Sequence, residues 1–323
     1  MHTISRWIAF FAATIAAFLA IPTMAEEKTP EASTQAAVSA GNTESADKSD
    51  GKAPADHPVR PALWKVSDED TTIYLFGTIH ALPPSIDWFE GTVAAAFDES
   101  GELVTEIVRK DPGTMQEMVL SRAILSGGQS LRDLLNPEER AAYEAALTGL
   151  GVPLHAFDRF EPWYAAVGLS TVPLMRDGFA AEHGVEEMLS ARARSLGHPH
   201  GALETAEYQL DLFDALPVEV QKRYLDQVVE DLPTMQNDLK LMIEAWKRGD
   251  ADELARLMNA QEDDPVLVET LLTDRNRNWA KWIEGRLEQP GTVFLAVGAG
   301  HLAGTDSVQE LLGESGITAE RVQ

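Results

Sequence analysis

The chain has 323 residues, with 26 Lys and Arg against 52 Asp and Glu, and no cysteine. A hydrophobic content of 44% suffices for a packed core, and the length allows one large domain or two ordinary ones. The net charge of −26 disfavours nonspecific nucleic-acid binding, and the absence of cysteine excludes disulfides, thiolate metal sites, a Cys nucleophile and a lipid-modified Cys.

Residues 1–25 have the form of a secretory signal peptide. Arg6 precedes an apolar run from Trp7 to Ile21, and a small-x-Ala sequence ends at Ala25. The run is shorter than the ~20 residues a spanning helix needs and breaks at Pro22, which predicts cleavage rather than a stable membrane span. Export then places the protein in the periplasm or outside the cell. Residues 26–60 are rich in Ala, Ser, Thr, Pro and acids and contain no aromatic residue. This composition predicts a disordered acidic linker, so His57 within it carries no catalytic weight.

The body, 61–323, opens with two β runs, Leu63 to Val66 and Thr72 to Phe76, joined by a turn-like Ser67-Asp68-Glu69-Asp70. A helix through Ala94 to Phe97 is expected to end near Gly101, followed by a strand from Leu103 to Val108. Asn136 before Pro137-Glu138-Glu139 marks a helix start. A further helix is predicted from Val185 to Leu196, stopped by Gly197, then a short strand Gly201 to Glu204. From Glu207 to Leu287 the pattern is mainly helical, with breaks near Pro217, Pro233, Gly249 and Pro265. The chain closes on a strand from Thr292 to Val297, a helix from Asp306 to Leu312 and a β run from Ile317 to Val322. Strands at both ends with helices between them predict an α/β domain: a central mixed β-sheet flanked by helices, with a large helical insertion.

Two histidines share one local context. Phe76-Gly77-Thr78-Ile79-His80 and Val297-Gly298-Ala299-Gly300-His301 each follow a β run, with Gly three residues before His. In open α/β sheets ligands gather beyond the carboxyl ends of strands, where both imidazoles are expected. Either one alone reads as a satisfied core histidine; the repeated context favours function. Glu106 lies in an apolar run and Glu204 ends another, where a charge is costly unless paired or ligating. Two His with one or two carboxylates suit a divalent ion such as Mn, Co, Zn or Fe, which would activate water and polarise a carbonyl. Without a metal, the same His and Glu would serve as general base and orienting partner.

Other signals are weaker. Gly298 to Gly304 imitates a dinucleotide loop, but its last glycine falls one residue late and too little chain follows for a crossover. No Walker A, H-E-x-x-H or G-x-S-x-G sequence occurs. His155, His183, His198 and His200 read as structural, and Trp246, Trp279 and Trp282 as helix packing. In Arg275-Asn276-Arg277-Asn278, one arginine is expected to pair with a site carboxylate and at least one to face solvent.

The ordered set of local sequences resembles the TraB/GumN family, relatives of the animal Tiki proteins and more distantly of the erythromycin-esterase and ChaN-like group. The matching words are Leu63-Trp64-Lys65-Val66, Tyr74 to His80, Leu103-Val104-Thr105-Glu106, Gly184-Val185-Glu186 and Leu203-Glu204-Thr205. They continue through Ala245 to Asp250, Arg275 to Trp279 and Val297 to Gly304, and so cover nearly all of 61–323. The resemblance implies paired G-x-x-H motifs facing one site and, by analogy with Tiki, metal-dependent peptidase activity. It places His80, His301 and Glu106 as ligands. Glu204 follows as a further ligand or base, and Arg275 as a stabiliser of charge. Glu186 stands where many bacterial members carry Asp, and its role is open. The expected substrate is a peptide or other small molecule. Two other function classes remain: a non-catalytic binder of peptide, haem or metal, and a metal-free esterase-like hydrolase.

Overall fold

The computed structural model describes residues 58–84, 86–258 and 264–323. The signal-peptide and linker readings, His57 included, lie outside the described residues. The strands are β1 (Leu63–Ser67), β2 (Thr71–Thr78), β3 (Glu102–Thr105), β4 (His200–Ala202), β5 (Gly291–Gly298) and β6 (Glu320–Arg321). The helices are α1 (Gly91–Glu99), α2 (Pro112–Ala123), α3 (Leu131–Leu134), α4 (Pro137–Gly149), α5 (Pro162–Arg176) and α6 (Val185–Leu196). They continue as α7 (Ala206–Asp214), α8 (Val218–Lys247), α9 (Ala251–Met258), α10 (Pro265–Val268), α11 (Asp274–Leu287) and α12 (Val308–Glu314).

The strands form one mixed six-stranded sheet in the order β4-β3-β5-β2-β1-β6. β3 pairs in parallel with β4 and β5, and β5 pairs in parallel with β2; β1 runs antiparallel to both β2 and β6. β5 lies at the centre, and its run Val293 to Val297 is buried on both faces, as a parallel interior strand requires. Alternate side chains serve opposite layers. Phe294 and Ala296 join Phe76, Phe97 and the large helical core, while Val293, Leu295 and Val297 pack against Trp279 and Ile283 of α11 and Leu312 of α12.

Most helices lie between β3 and β5, which makes them the expected insertion. Local sequence explains their ends. Asn136 caps α4 with a reciprocal bond from Glu139, and Gly197 closes α6 with φ of 72°. Four expectations change. β3 stops at Thr105 rather than Val108, because its neighbour β4 is only three residues long and the Thr105 hydroxyl turns to the Ile107 carbonyl. β4 likewise ends at Ala202, so Glu106 and Glu204 both fall just beyond strand ends. Pro233 lies inside α8 instead of breaking it: the ring is exposed, and the carbonyl that loses its partner belongs to half-buried Val229. The final β run is confined to Glu320 and Arg321. Among the described residues, no helix is long and apolar enough to cross a membrane.

β2 and β5 run in register, with Gly77 opposite Val297 and Thr78 opposite Gly298. The chain leaves β5 so close to β2 that a Cβ on Gly77 would lie 3.0 Å from Ala299 Cα. Trp246 of α8 locks the same spot by donating its indole N–H to the Gly77 carbonyl at 2.8 Å. Gly77→Ala is therefore expected to lose about 1–3 kcal/mol through overpacking, read as a lowered urea midpoint at unchanged slope.

Candidate functional site

The site is assembled beyond the carboxyl ends of β2, β3, β4 and β5. β3 and β4 deliver Glu106 and Glu204 side by side, and the Glu204 N–H donates to the Glu106 carbonyl at 2.8 Å. Thr205 then caps α7, whose first turn brings Gln209 back to donate to both carboxylates at 2.9 Å each. The turn after β2 holds His80, and the short helical turn after β5 holds His301.

Arg275 enters from α11 on the other layer. A π-helical turn, Glu269–Thr273, immediately precedes α11, with the Asp274 N–H donating to the Glu269 carbonyl five residues back. Arg275 and Asn276 are both fully buried and both reach His301. All five N–H groups of Arg275 are engaged. Nε donates to Glu204 at 2.9 Å, Nη2 to Glu106 at 2.7 Å and Glu204 at 2.9 Å, and Nη1 to the Leu271 carbonyl and His301 Nε2 at 3.1 Å each. The guanidinium also lies 4.7 Å from the Trp279 ring centroid, and the Trp279 indole N–H donates to Glu204 at 2.9 Å. Arg277, by contrast, is exposed and pairs with Glu269 and Asp274.

This network decides the protonation of its members. Burial would raise the Glu106 pKa, but the Arg275 charge outweighs it, helped by His80 and by a 2.7 Å bond from the Gly298 N–H, and holds the carboxyl well below the usual range. Burial and the Arg275 charge drive the His301 pKa far down, so this imidazole is neutral. Its tautomer follows from Asn276. The Asn276 amide nitrogen donates to the Asp306 carbonyl at 2.8 Å, which turns its oxygen toward His301 Nδ1 at 2.5 Å. His301 therefore carries its proton on Nδ1, and its Nε2 lone pair accepts from Arg275.

His80 has a different setting. Its Nδ1 lies 2.5 Å from Glu186 Oε1, a carboxylate that also accepts from the Thr78 hydroxyl. Gly184 makes the approach possible, since a Cβ there would lie 2.1 Å from the His80 carbonyl oxygen. Burial would depress the His80 pKa, but the Glu186 charge and hydrogen bond, with Glu106 behind them, raise it above the ordinary imidazole value. His80 Nε2 points the other way. A Cβ on Gly298 would sit 3.1 Å from Glu106 Oε1, 3.5 Å from His80 Nε2 and 3.6 Å from His301 Cδ2. Only a glycine lets Glu106 Oε1 and His80 Nε2 come this close to the end of β5, and the His80–Glu186 side is the less enclosed flank of the cluster: their side chains are 8% and 20% accessible, against 0% for Arg275.

The structure thus brings His80, Glu106, Glu204, Arg275 and His301 into one cluster. Sequence reasoning passed over Gln209, Asn276, Thr78 and the polar role of Trp279, and left Glu186 open. The words Gly184-Val185-Glu186 and Arg275-Asn276 carried that signal. His200 hydrogen-bonds Thr105 at 2.8 Å and His198 stacks on Phe97, both away from the cluster. The metal set expected from sequence meets a constraint. Glu106 Oε2, both Glu204 oxygens and His301 Nε2 are already accepting bonds, and among the described residues no group of three or more His, Cys, Asp or Glu is placed to hold an ion.

The sequence matches the TraB/PrgY/gumN family over residues 62–321, which spans the whole sheet and every site residue. The chain belongs to this family. It is also 22% identical over 271 residues to an uncharacterized protein of Treponema pallidum (strain Nichols), covering 77% of this chain and 79% of that protein. No solved structure matches it. The family membership accounts for the ordered words read from the sequence, and the geometry gives His80, Glu106, Glu186, Glu204, Arg275 and His301 a physical task.

Glu106→Gln is expected to lose about 1.5–3 kcal/mol, the worth of hydrogen bonds to a charged group, because Glu204 still offsets Arg275. The folded pKa of Glu106 is depressed, so its contribution is present above the unfolded carboxylate value of about 4.3 and fades as pH falls through the folded one. Urea unfolding should show the wild type and Glu106→Gln converging toward acid pH.

Proposed function

We propose that this chain is an exported hydrolase of acyl bonds, an esterase or peptidase, in which His80 is the general base and Glu186 its orienting partner. The observation that carries the reading is the His80–Glu186 pair, in which Nδ1 lies 2.5 Å from Oε1 and Nε2 is turned toward Gly298 and Glu106. His80 Nε2 and Glu106 Oε1 both lie close to Gly298, on the less enclosed flank of an otherwise saturated cluster. A water bound at His80 Nε2 donates a proton to it, which leaves an oxygen lone pair for an incoming carbonyl.

In the reaction, the water oxygen bonds to the acyl carbon as its proton passes to His80 Nε2, and the carbonyl oxygen takes the negative charge. Glu186 stabilises the imidazolium through the Nδ1 hydrogen bond, as in other His–carboxylate pairs. The tetrahedral intermediate then collapses, the bond to the leaving alcohol or amine breaks, and His80 returns the proton to that group. His301 and Arg275 do not touch the substrate in this reading; they hold Glu106 ionised and oriented. The donor set as arranged does not fit a divalent ion held by His80, Glu106 and His301, so no step passes through one. The leader-like residues 1–25 support action in the periplasm or outside the cell.

The test is turnover of p-nitrophenyl esters and a fluorogenic peptide library by the untagged chain, with and without exhaustive chelation. Activity that survives chelation and falls by about 10²–10⁴ in His80→Ala is expected for a lost general base. Activity seen only after Mn, Co or Zn is restored would select metal-dependent hydrolysis instead. A folded chain that retains a peptide without product would select the binder. Because the folded His80 pKa is raised and the base must be neutral, kcat/KM should rise with pH through an apparent pKa above about 6.5. Glu186→Gln should move that limb to lower pH. Gly298→Ala should lower activity by pressing a methyl to 3.1 Å from Glu106 Oε1 and 3.5 Å from His80 Nε2, with far-UV circular dichroism unchanged.

A further inference from the structure

The geometry points to Arg275 as a built-in cation, fixed where a metal ion would otherwise sit between Glu106, Glu204 and His301. The inference stands on the arrangement of donors and does not need the hydrolase reading.

Three observations carry it. The first is the arrangement around His301. In metal sites, a ligating imidazole gives the N–H of its far nitrogen to an oxygen acceptor, which aims the other nitrogen at the ion. Here Asn276 provides that acceptor, itself fixed by the Asp306 carbonyl, and His301 Nε2 is aimed at the Arg275 guanidinium at 3.1 Å. Asp306 holds φ of 57°, in the left-handed region that Asp enters more readily than most residues, and its N–H donates to Glu310 at 2.9 Å, so the turn fixes the orienting carbonyl. The second is the carboxylate pair. Glu106 and Glu204 converge on one point, as ligands do, and that point is Arg275 Nη2, at 2.7 and 2.9 Å.

The third observation is permanence. The Arg275 side chain is 0% accessible, its five N–H groups are all used, and it is clamped between the Leu271 carbonyl and the Trp279 ring. Withdrawing it to admit an ion would leave a guanidinium without those acceptors in a buried setting, which is strongly unfavourable. The residue acts by positioning. It holds Glu106 and His301 in place through hydrogen bonds that a spherical ion would make without their direction.

The experiment is metal uptake by the untagged full chain after chelation, with Mn²⁺, Co²⁺ and Zn²⁺ titrated separately. Bound metal is measured by equilibrium dialysis, and Co²⁺ is followed by its visible absorption. The wild type is expected to take up no ion that His80→Ala or Glu106→Gln abolishes, and to keep its Tm in chelator. Arg275→Met leaves the two carboxylates and His301 Nε2 facing one another without their shared cation. It should gain one ion per chain, bound about 100-fold or more tighter than by the wild type, with a metal-dependent rise in Tm. The gain should vanish in the double variant Arg275→Met, Glu106→Gln. A folded Arg275→Met that gains nothing overturns the inference. So does a wild type that binds one ion per chain in a His80- and Glu106-dependent way, and this second measurement decides the matter even if Arg275→Met does not fold.

Discussion

The structure depends on one buried ion cluster, the Arg275 guanidinium with Glu106 and Glu204. Taking such charges out of water costs several kcal/mol per ion, and attraction offsets this only where every donor and acceptor is satisfied. That requirement dictates much of the surrounding sequence. Gln209 and Trp279 complete the carboxylates, Leu271 and His301 complete the guanidinium, and the Gly298 backbone completes Glu106. The π-helical turn before α11 accompanies the burial of two consecutive polar residues on the sheet side of the helix. Neither layer of the domain can shift without breaking the cluster, because β3 and β4 provide its anions and α11 its cation.

The cluster also divides the two histidines by role. His301 is enclosed, neutral and committed on both nitrogens. His80 is committed on one nitrogen only. A single guanidinium faces two carboxylates, so a negative charge is left over near Gly298, and Glu106 contributes to holding the His80 pKa up. The same local word, strand-Gly-x-x-His, thus yields a fixed structural imidazole at one end and a basic one at the other. The difference lies in what each meets from outside its own strand: Asn276 and Arg275 in one case, Glu186 in the other.

Much of this was legible from residue order. An apolar run ending in glycine and then histidine marks a strand end whichever partner it finds, so His80 and His301 could be placed without a structure. Glu106 and Glu204 were visible because a carboxylate beside an apolar run needs a reason. Strand ends were less legible: nothing local to Ile107-Val108 shows that neighbouring β4 is too short to pair with them. Pro233 misled for a related reason, since only the fold shows that its ring faces solvent. Gln209, Asn276 and Trp279 are ordinary helical residues by type. Their tasks follow from which atoms face the cluster, and the π turn shifts that phase away from the regular repeat of a helix. The count of engaged lone pairs, which bears most on the metal expected from sequence, exists only in three dimensions.

The position of β5 has a consequence for how the molecule comes into being. It is the penultimate strand in the sequence, yet it sits between β3 and β2 and joins them. Until it inserts, the sheet is two separate fragments, β1–β2 and β3–β4, and the strand that joins them lies beyond a long helical excursion, so closing that loop is an entropic cost met late. The same insertion delivers Gly298 and His301, so strand pairing and assembly of the site are a single event. A chain that has not yet placed β5 has the His80–Glu186 and Glu106–Glu204 pairs only as separate halves, with no strand to bring them together.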